Sequence, residues 1–198
     1  MAKRLLDIIV AALGLMLLSP VLLLIAVAVR LESSGPALFR QRRVGLHGKE
    51  FEILKFRSMR PHSAGGPLIT VTGDRRITRV GALIRATKLD ELPQLWNVVR
   101  GDMSLVGPRP EVPRYVALYS AEQRRVVLLV RPGITDEAAI EFADESSRLA
   151  AAADPEACYA SEILPVKIAM YEKYVASRST TGDIGILVRT ILRLIRRK

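Results

Sequence analysis

An apolar run from Ile8 to Val29 is the feature that most constrains the fold of this chain. As a helix, the run would be about 33 Å long, which matches the hydrocarbon thickness of a bilayer. Three interpretations compete: a cleaved signal peptide, a simple transmembrane helix, and a bent helix that enters and leaves the membrane by one face. The run is longer than the usual apolar core of a signal peptide and Arg30 follows it closely, which argues against cleavage.

Ser19 and Pro20, near the middle of this run, favour the bent helix. Pro20 lacks an N–H group, and its ring crowds the carbonyl of Met16. The Ser19 hydroxyl can bond back to the carbonyl of Leu15. We therefore expect the helix to break at this pair of residues.

Positive charge on both sides of the run also favours a re-entrant arrangement. The flanking cations are Lys3, Arg4, Arg30, Arg40, Arg42 and Arg43. Because the positive-inside rule keeps such ends in the cytoplasm, one face of the membrane would hold both. We predict a re-entrant membrane helix over residues 1–34 and a cytosolic domain over residues 35–198.

The composition limits the classes of partner. With 49% hydrophobic residues, the 198-residue chain can build one core, and its lone Cys158 excludes an intramolecular disulfide. A net charge of +10 implies an anionic partner: nucleic acid, anionic lipid or a phosphorylated substrate. Aromatic residues are only 5%, so the base-stacking surfaces of a single-strand binder are poorly supplied.

Two short alternating runs, Leu38 to Val44 and Glu50 to Phe56, predict a β-hairpin with a glycine-containing loop. Alternation places Lys55 on the same face as Phe51 and Ile53. Lys55 is then either a snorkelling edge lysine or a phosphate ligand, and the spacing alone favours the first.

Helical periodicity dominates the rest of the chain. The predicted helices cover Val80 to Arg85, Leu89 to Val99, a stretch after Pro113, Glu137 to Ala153, Pro155 to Ala176 and residues 183–198, while Arg131 to Thr135 is read as a turn. The sequence thus predicts a helix-dominated α+β fold with a re-entrant N-terminal helix, a small β-hairpin and interfacial amphipathic helices.

The last helix is basic and amphipathic. One face is apolar, with Ile184, Leu187, Val188, Ile191, Leu192 and Ile195, and the other is basic, with Arg189, Arg193, Arg196 and Arg197. It could pack on the domain with its basic face exposed, or lie flat on an anionic leaflet. The N-terminal membrane segment favours the second.

The stretch from Arg85 to Glu111 contains the strongest candidate for chemistry, the adjacent carboxylates Asp90 and Glu91. The cations around them are Arg85, Lys88, Arg100 and Arg109. Because Pro93 is tolerated only in a first helical turn, Asp90 is expected to be the N-cap of a helix starting at Glu91. The helix dipole and the cations would keep Asp90 ionised, as a nucleophile or metal ligand; a mere cap is equally compatible.

A series of motifs resembles one family. They are Lys3-Arg4 with Asp7, Ser19-Pro20, Gly35-Pro36 with Phe39, Gln41 and Arg43, Lys55-Phe56-Arg57-Ser58-Met59, Leu89-Asp90-Glu91-Leu92-Pro93-Gln94-Leu95, Gly101-Asp102-Met103-Ser104 and Val106-Gly107-Pro108-Arg109-Pro110-Glu111. In this order they resemble the bacterial sugar transferases, monotopic polyprenyl-phosphate phosphoglycosyl transferases. After Thr135 the chain departs from the family, because Asp136-Glu137-Ala138-Ala139 stands where many relatives carry Gly-(Leu or Trp)-Ala-Gln.

The resemblance implies transfer of a sugar 1-phosphate from a UDP-sugar to undecaprenyl phosphate, with release of UMP and a Mg²⁺ cofactor. Asp90 would form a covalent aspartyl phosphosugar, and Glu91 would hold Mg²⁺ with Asp90 or steer the second phosphate. Lys55, Arg85 and Arg109 are the expected phosphate contacts. The catalytic domain would face the cytoplasm at the bacterial inner membrane, in contact with membrane lipid; a homo-oligomer is compatible with the sequence.

Two other classes of function compete with this one. A non-catalytic membrane-surface adaptor would use the basic faces to bind anionic lipid. A membrane-tethered nucleic-acid binder would explain the charge, but the few aromatic residues and the lack of a helix-turn-helix or zinc pattern count against it. We therefore expect no nucleic-acid partner.

Overall fold

The long apolar segment forms α1, Ala2–Glu32, in a computed structural model that describes residues 2–60 and 69–196. The helix is long and apolar enough to cross a membrane. It runs through Pro20 without the interruption expected there. The Ser19 hydroxyl donates to the carbonyl of Met16 at 2.8 Å, not to that of Leu15. Met16 is the residue whose carbonyl Pro20 leaves without a donor, so Ser19 supplies the missing hydrogen bond.

Both ends of α1 are bound to the same domain. Near its start, Arg4 donates to the carbonyls of Val98 and Met103 at 2.7 and 3.1 Å. At its end, the Glu32 carboxylate accepts from the backbone N–H groups of Arg79 and Val80 at 2.7 and 2.9 Å. The opposite face is exposed and apolar, with Leu5, Leu13, Leu17, Leu24 and Leu31. The re-entrant placement of this helix in a bilayer stays a prediction.

Arg57 closes the C-terminal end of α1 from the domain side. Its buried guanidinium donates to the carbonyls of Ser33 and Ser34 at 2.7 and 2.8 Å and to that of Val29 at 3.3 Å. The last carbonyls of a helix lack hydrogen-bond donors within the helix, and a cation there can supply them. Its positive charge also interacts favourably with the negative end of the helix dipole.

The predicted β-hairpin is confirmed. Strands β1, Leu38–Val44, and β2, Glu50–Phe56, pair antiparallel from Leu38 opposite Phe56 to Val44 opposite Glu50. Val44, Ile53, Leu54 and Phe56 turn into the interior. The hairpin therefore carries Lys55 to the edge of the core, with its side chain only 17% exposed.

The remaining elements form a helix-dominated α+β fold, as predicted. They are α2 (Arg79–Ala86), α3 (Gln94–Arg100), β3 (Ser104–Val106), α4 (Pro113–Val116), α5 (Ala121–Val127), β4 (Gly133–Thr135), α6 (Glu137–Glu141), α7 (Glu145–Ala150), α8 (Pro155–Cys158), α9 (Leu164–Ser177) and α10 (Thr180–Arg196), with a π-helical turn at Tyr159–Ile163. The single helix expected over Glu137 to Ala153 is wrong, since α6 and α7 divide that segment.

A second, parallel pair of strands was not predicted. β3 pairs with β4, so the turn expected at Arg131 to Thr135 is a strand from Gly133 onward. The two backbone segments approach most closely at Gly107 and Gly133. A Cβ on Gly133 would lie only 2.1 Å from the backbone nitrogen of Gly107. No other residue fits so close an approach, and it fixes the start of the Pro108-Arg109-Pro110 turn.

The hydrophobic core of the described residues lies in three clusters. One joins α4 to α7 with the π-helical turn and α9, and includes Tyr115, Tyr159 and Tyr171. A second joins α1, α3, β3 and α10. The third packs Ile25 and Val29 of α1 against the end of the hairpin and α2. Two of the three clusters thus contain residues of α1, which makes this helix part of the folded domain.

The C-terminal helix α10 buries little of its apolar face. Asp183 and Ile186 are buried, whereas most of the predicted apolar stripe is exposed: Ile184, Val188, Ile191, Leu192 and Ile195. The alternative in which this stripe packs on the domain is therefore wrong. Its exposure leaves the lipid-facing arrangement as the prediction; Arg197 lies outside the described residues.

Candidate active site

Asp90 and Glu91 lie in a tight 3₁₀ turn, Leu89–Glu91, between α2 and α3. Lys88 enters the turn in the left-handed conformation, with φ of 58°. The expectation that Asp90 caps a helix starting at Glu91 is wrong, because α3 begins only after Pro93. Asp90 is buried, and its Oδ1 atom has no hydrogen-bond partner among the described residues.

Glu91 is held by two cations. Its Oε1 atom accepts from Lys55 Nζ at 2.7 Å and from Arg109 Nη2 at 3.1 Å. Burial opposes ionisation of this carboxyl, but Lys55, Arg109 and Lys88 hold its pKa well below the ordinary value. Glu91 therefore stays anionic and serves as the common partner of two of the predicted phosphate-binding residues.

The electrostatics of Asp90 differ from those of its neighbour. Burial raises the pKa of the Asp90 carboxyl, the charge of Glu91 adds to the rise, and Lys55, Lys88 and Arg85 oppose it. The cations favour the ionised form of Asp90, as expected, but burial and the charge of Glu91 outweigh them, so the net shift of its pKa is upward. A buried carboxylate with an unpaired oxygen is costly, so a cationic or phosphoryl ligand at this atom would relieve an existing deficit.

The pKa values of the two cations bound to Glu91 shift in opposite directions. Burial and the neighbouring Arg109 lower the pKa of Lys55 to about 8, against the attraction of Glu91. The Glu91 carboxylate raises the pKa of Arg109, against burial. Arg109 is thus a permanent cation, whereas Lys55 can lose its proton within a moderate pH range.

Arg85 stands apart from this cluster. It lies in the last turn of α2, where its Nη1 atom is 3.5 Å from the Ser58 hydroxyl. A Cβ on Gly81 would lie 2.1 Å from the Ser58 carbonyl, so α2 packs against the chain just after the hairpin. Arg85 acts on Asp90 through its charge, not through a hydrogen bond to either carboxylate.

A further set of contacts, which sequence reasoning did not identify, holds the Pro108-Arg109-Pro110 turn. Arg43 donates to the Pro110 carbonyl at 2.9 Å and lies 3.8 Å from the Glu111 carboxylate. The Tyr159 hydroxyl donates to the same carboxylate at 2.7 Å. Arg43 and Glu111 occur in the quoted motifs, but nothing in their spacing connects them to Tyr159.

The departure at Asp136-Glu137 has a structural explanation. The buried Asp136 carboxylate accepts from the backbone N–H of Ala139 at 2.7 Å and so caps α6. Burial raises the pKa of Asp136 to about 6. Glu137 pairs with Arg189 at 2.6 Å and joins α6 to α10. These two acids therefore fix α6 beside the C-terminal helix.

A cavity of about 200 Å³ opens beside the cation cluster, bordered by α3, β4, α6 and α10. Aliphatic side chains form most of its wall, and Lys88, Glu91, Arg109 and Arg193 are its charged members. The carboxylate pair thus lies between basic groups and an apolar chamber.

The residues fit a magnesium site only in a limited sense. Within residues 2–60 and 69–196, no group of three or more His, Cys, Asp or Glu residues could surround a metal ion. Mg²⁺ commonly uses one or two carboxylates and takes its other ligands from water and substrate phosphates. The unpaired Asp90 Oδ1 meets that requirement, whereas Oε1 of Glu91 is already bound to Lys55 and Arg109.

Together, the buried Asp90, the adjacent Glu91 with its cations and the apolar surfaces define a site for an anionic ligand with an apolar part. A family model described as bacterial sugar transferase matches residues 1–197. The chain belongs to the bacterial sugar transferase family.

Named relatives agree with this membership. The chain is 41% identical over 196 residues to a UDP-glucose:undecaprenyl-phosphate glucose-1-phosphate transferase of Caulobacter vibrioides, covering 98% of this chain and 69% of the relative. A Xanthomonas campestris pv. campestris protein with the same description is 40% identical over 202 residues, covering 100% of this chain and 39% of the relative. An Escherichia coli protein, again so described, is 46% identical over 141 residues, 70% of this chain and 30% of the relative.

Proposed function

We propose that this protein transfers a sugar 1-phosphate from a UDP-sugar to undecaprenyl phosphate and releases UMP. The observation that carries the proposal is the unpaired, buried oxygen of Asp90 beside a glutamate bound by Lys55 and Arg109. The descriptions of the relatives support the donor and acceptor classes.

In the first step, an Asp90 carboxylate oxygen attacks the β-phosphorus of the UDP-sugar. A bond forms between that oxygen and phosphorus, and the bond from phosphorus to the bridging oxygen breaks, so that UMP leaves with the electron pair. The product is an aspartyl phosphosugar. Because the diphosphate repels an anionic nucleophile, the approach requires cations already in place.

Lys55 and Arg109 are suited to that task. Both are positioned on Glu91 before the substrate arrives, so their charges need little reorganisation to contact phosphoryl oxygens. Arg85 adds a third positive charge on the side of α2. The diphosphate would compete with Glu91 for these donors, and Glu91 in turn returns them to their places after product release.

Mg²⁺ would supply further neutralisation of the diphosphate oxygens when bound, with Asp90 and Glu91 as its candidate protein ligands. Asp90 offers a free oxygen for this role. Glu91 is better placed as the electrostatic partner of the two cations, which supports a steering role for it.

In the second step, an oxygen of undecaprenyl phosphate attacks the phosphorus of the aspartyl phosphosugar. The new oxygen–phosphorus bond replaces the bond to Asp90, which leaves as a carboxylate, and the lipid carries a diphosphosugar. The two displacements return the protein to its initial state.

The membrane placement that we propose is monotopic, with the catalytic domain on the cytoplasmic face of the bacterial inner membrane. Its support is the attachment of both ends of α1, through Arg4 and Glu32, to one domain. A helix held in this way keeps both ends on the same side of a bilayer. The exposed apolar residues of α1 and α10 would then contact lipid.

The direct test is a panel of UDP-sugars with undecaprenyl phosphate, scored for UMP. We expect release with at least one sugar and loss of release in Asp90→Asn, which keeps the size of the side chain but removes its nucleophilic charge. Release by Asp90→Asn at the wild-type rate would contradict the covalent mechanism. If no sugar supports release by the wild type, the membrane-surface adaptor becomes the better account of the exposed apolar and basic faces.

A further inference from the structure

The cavity between α3, α6 and α10 is built for a ligand with an aliphatic part. Its wall includes Leu92 and Leu95 of α3, Ala139 and Ile140 of α6, and Leu194 of α10. Such a lining favours the burial of hydrocarbon and offers few partners to a polar ligand.

The hydroxyl groups in the wall are already engaged with the protein. Thr190 Oγ1 donates to the Ile186 carbonyl at 2.9 Å and lies 2.8 Å from Thr135 Oγ1. Thr135 must then donate to Thr190, so neither hydroxyl hydrogen is left for a ligand. A sugar ring or a uracil base buried against these helices would lose hydrogen bonds to water and regain no donor from the two hydroxyls.

Positively charged side chains at the cavity could bind the anionic head group of such a ligand. Arg109 faces Glu91 on one side, and Lys88 and Arg193 border the same cavity. Among residues 2–60 and 69–196, no aromatic side chain lines the cavity, so these residues offer no stacking partner to a nucleotide base. Aliphatic walls beside cations match a phosphate ester of a hydrocarbon chain.

Contacts among β4, α6 and α10 hold the walls of the cavity together. Asp136 caps α6, and Glu137 binds α6 to Arg189 of α10. The Thr135–Thr190 bond adds β4 to the same assembly. Elsewhere on α10, Ile191 and Ile195 are exposed and apolar.

We propose that this cavity is the acceptor subsite: it receives the phosphate-proximal isoprene units of the polyprenyl phosphate and presents the lipid phosphate to Asp90 past Lys88 and Arg109. The inference rests on the proposed function and adds to it the location of the acceptor. The UDP-sugar would then approach Asp90 from the side of Arg85.

The test separates the two half-reactions in cavity-filling variants. Ala139→Phe and Leu194→Trp place an aromatic ring in the cavity from two different helices, and Ala151→Phe adds the same ring at an exposed site in another part of the fold. Each full-length protein is first given UDP-sugar without acceptor, and single-turnover UMP release is measured. Undecaprenyl phosphate is then added, and lipid-linked product is followed as a function of its concentration.

We expect both filled variants to release UMP in the first step like the wild type, and their KM for undecaprenyl phosphate to rise by about tenfold or more, since an occupied hydrocarbon pocket loses that order of discrimination. Ala151→Phe should match the wild type in both measurements. Matched melting curves of the variants exclude misfolding as the cause.

Two results would overturn the proposal while leaving the proposed function intact. If the filled variants keep the wild-type KM for undecaprenyl phosphate, the acceptor lies elsewhere. If they lose single-turnover UMP release although they fold normally, the cavity serves the nucleotide sugar instead. Absence of UMP release in the wild type with every UDP-sugar would instead refute the proposed function itself.

Discussion

The ammonium of Lys55 lies 2.7 Å from Oε1 of Glu91 and connects the β-hairpin to the turn that carries Asp90. Lys55 comes from β2, and Glu91 follows the nucleophile candidate directly in sequence. This contact fixes a cation beside Asp90 before any substrate binds. The consequences of removing it, or of changing its charge state, can be measured.

Replacing Lys55 with methionine should impair the first chemical step. The change keeps a long apolar stem but leaves Arg109 as the remaining hydrogen-bonded cation on Oε1 of Glu91. Loss of one preorganised donor to a developing anionic charge costs about 100-fold in rate. Single-turnover UMP release gives the measurement, with Lys49→Met, an exposed lysine in the hairpin loop, as the matched control. A rate within a few-fold of wild type would show that Lys55 only packs beside Glu91.

UMP release should depend on pH with a maximum. Attack requires ionised Asp90, whose pKa is raised by burial, so the rate should rise with pH through that value. It also requires cationic Lys55, whose lowered pKa of about 8 means that the charge is lost as pH rises beyond that point. The single-turnover rate should therefore fall again on the alkaline side.

The variant Lys55→Arg separates the two limbs of this profile, because arginine stays protonated throughout. We expect the acidic limb to remain and the alkaline decline to disappear, whatever the absolute rate. An alkaline limb that is unchanged in Lys55→Arg would assign the decline to another group.

The hydrogen bond from Ser19 to Met16 should matter only because residue 20 is proline. Ser19→Ala leaves the Met16 carbonyl without a donor and should reduce the stability of the bilayer-bound protein by about 1 kcal/mol. In a Pro20→Ala background, the restored N–H can serve Met16, so the same serine change should cost close to nothing. Denaturation of the four proteins in lipid nanodiscs measures the coupling. Equal effects in both backgrounds would rule out this compensation.

The membrane placement predicts that both flanks of α1 label from the same side. Single cysteines at the exposed positions Ala2 and Ser34, in a Cys158→Ser background, would report this in sealed vesicles by reaction with a membrane-impermeant maleimide. Because Arg4 and Glu32 attach the helix to one domain, we expect both positions to react only from the face that carries the domain. Reaction from opposite faces would establish a spanning helix.

The parts of the fold that follow from local pattern were predictable. The two short alternating runs located β1 and β2 to the residue, and the apolar run located α1. The parallel pair of β3 and β4 was missed because each strand has three residues and the two are distant in sequence, so neither produces a periodic signal.

The candidate site was predictable as a set of residues but not as a geometry. The sequence identified the four residues of the cluster: Asp90, Glu91, Lys55 and Arg109. It could not indicate that Lys55 and Arg109 bind Glu91 rather than Asp90. The predicted helix began at Glu91 and so included Pro93 in its first turn, whereas α3 begins after Pro93. Asp90 was therefore expected to be an N-cap, but it is a buried carboxyl with an unpaired oxygen. Burial, which decides the direction of the pKa shift of Asp90, depends on the tertiary structure.

The central claim is that Asp90 carries the phosphosugar between donor and acceptor. The most direct measurement uses UDP-sugar labelled with ³²P at the β-phosphate, mixed with full-length protein in the absence of lipid acceptor, followed by mass spectrometry of the labelled peptide. The account predicts a phosphosugar on Asp90 that forms with UMP, disappears on addition of undecaprenyl phosphate and is absent from Asp90→Asn. Formation of lipid-linked product without any protein-bound label, at times when UMP has already been released, would contradict it.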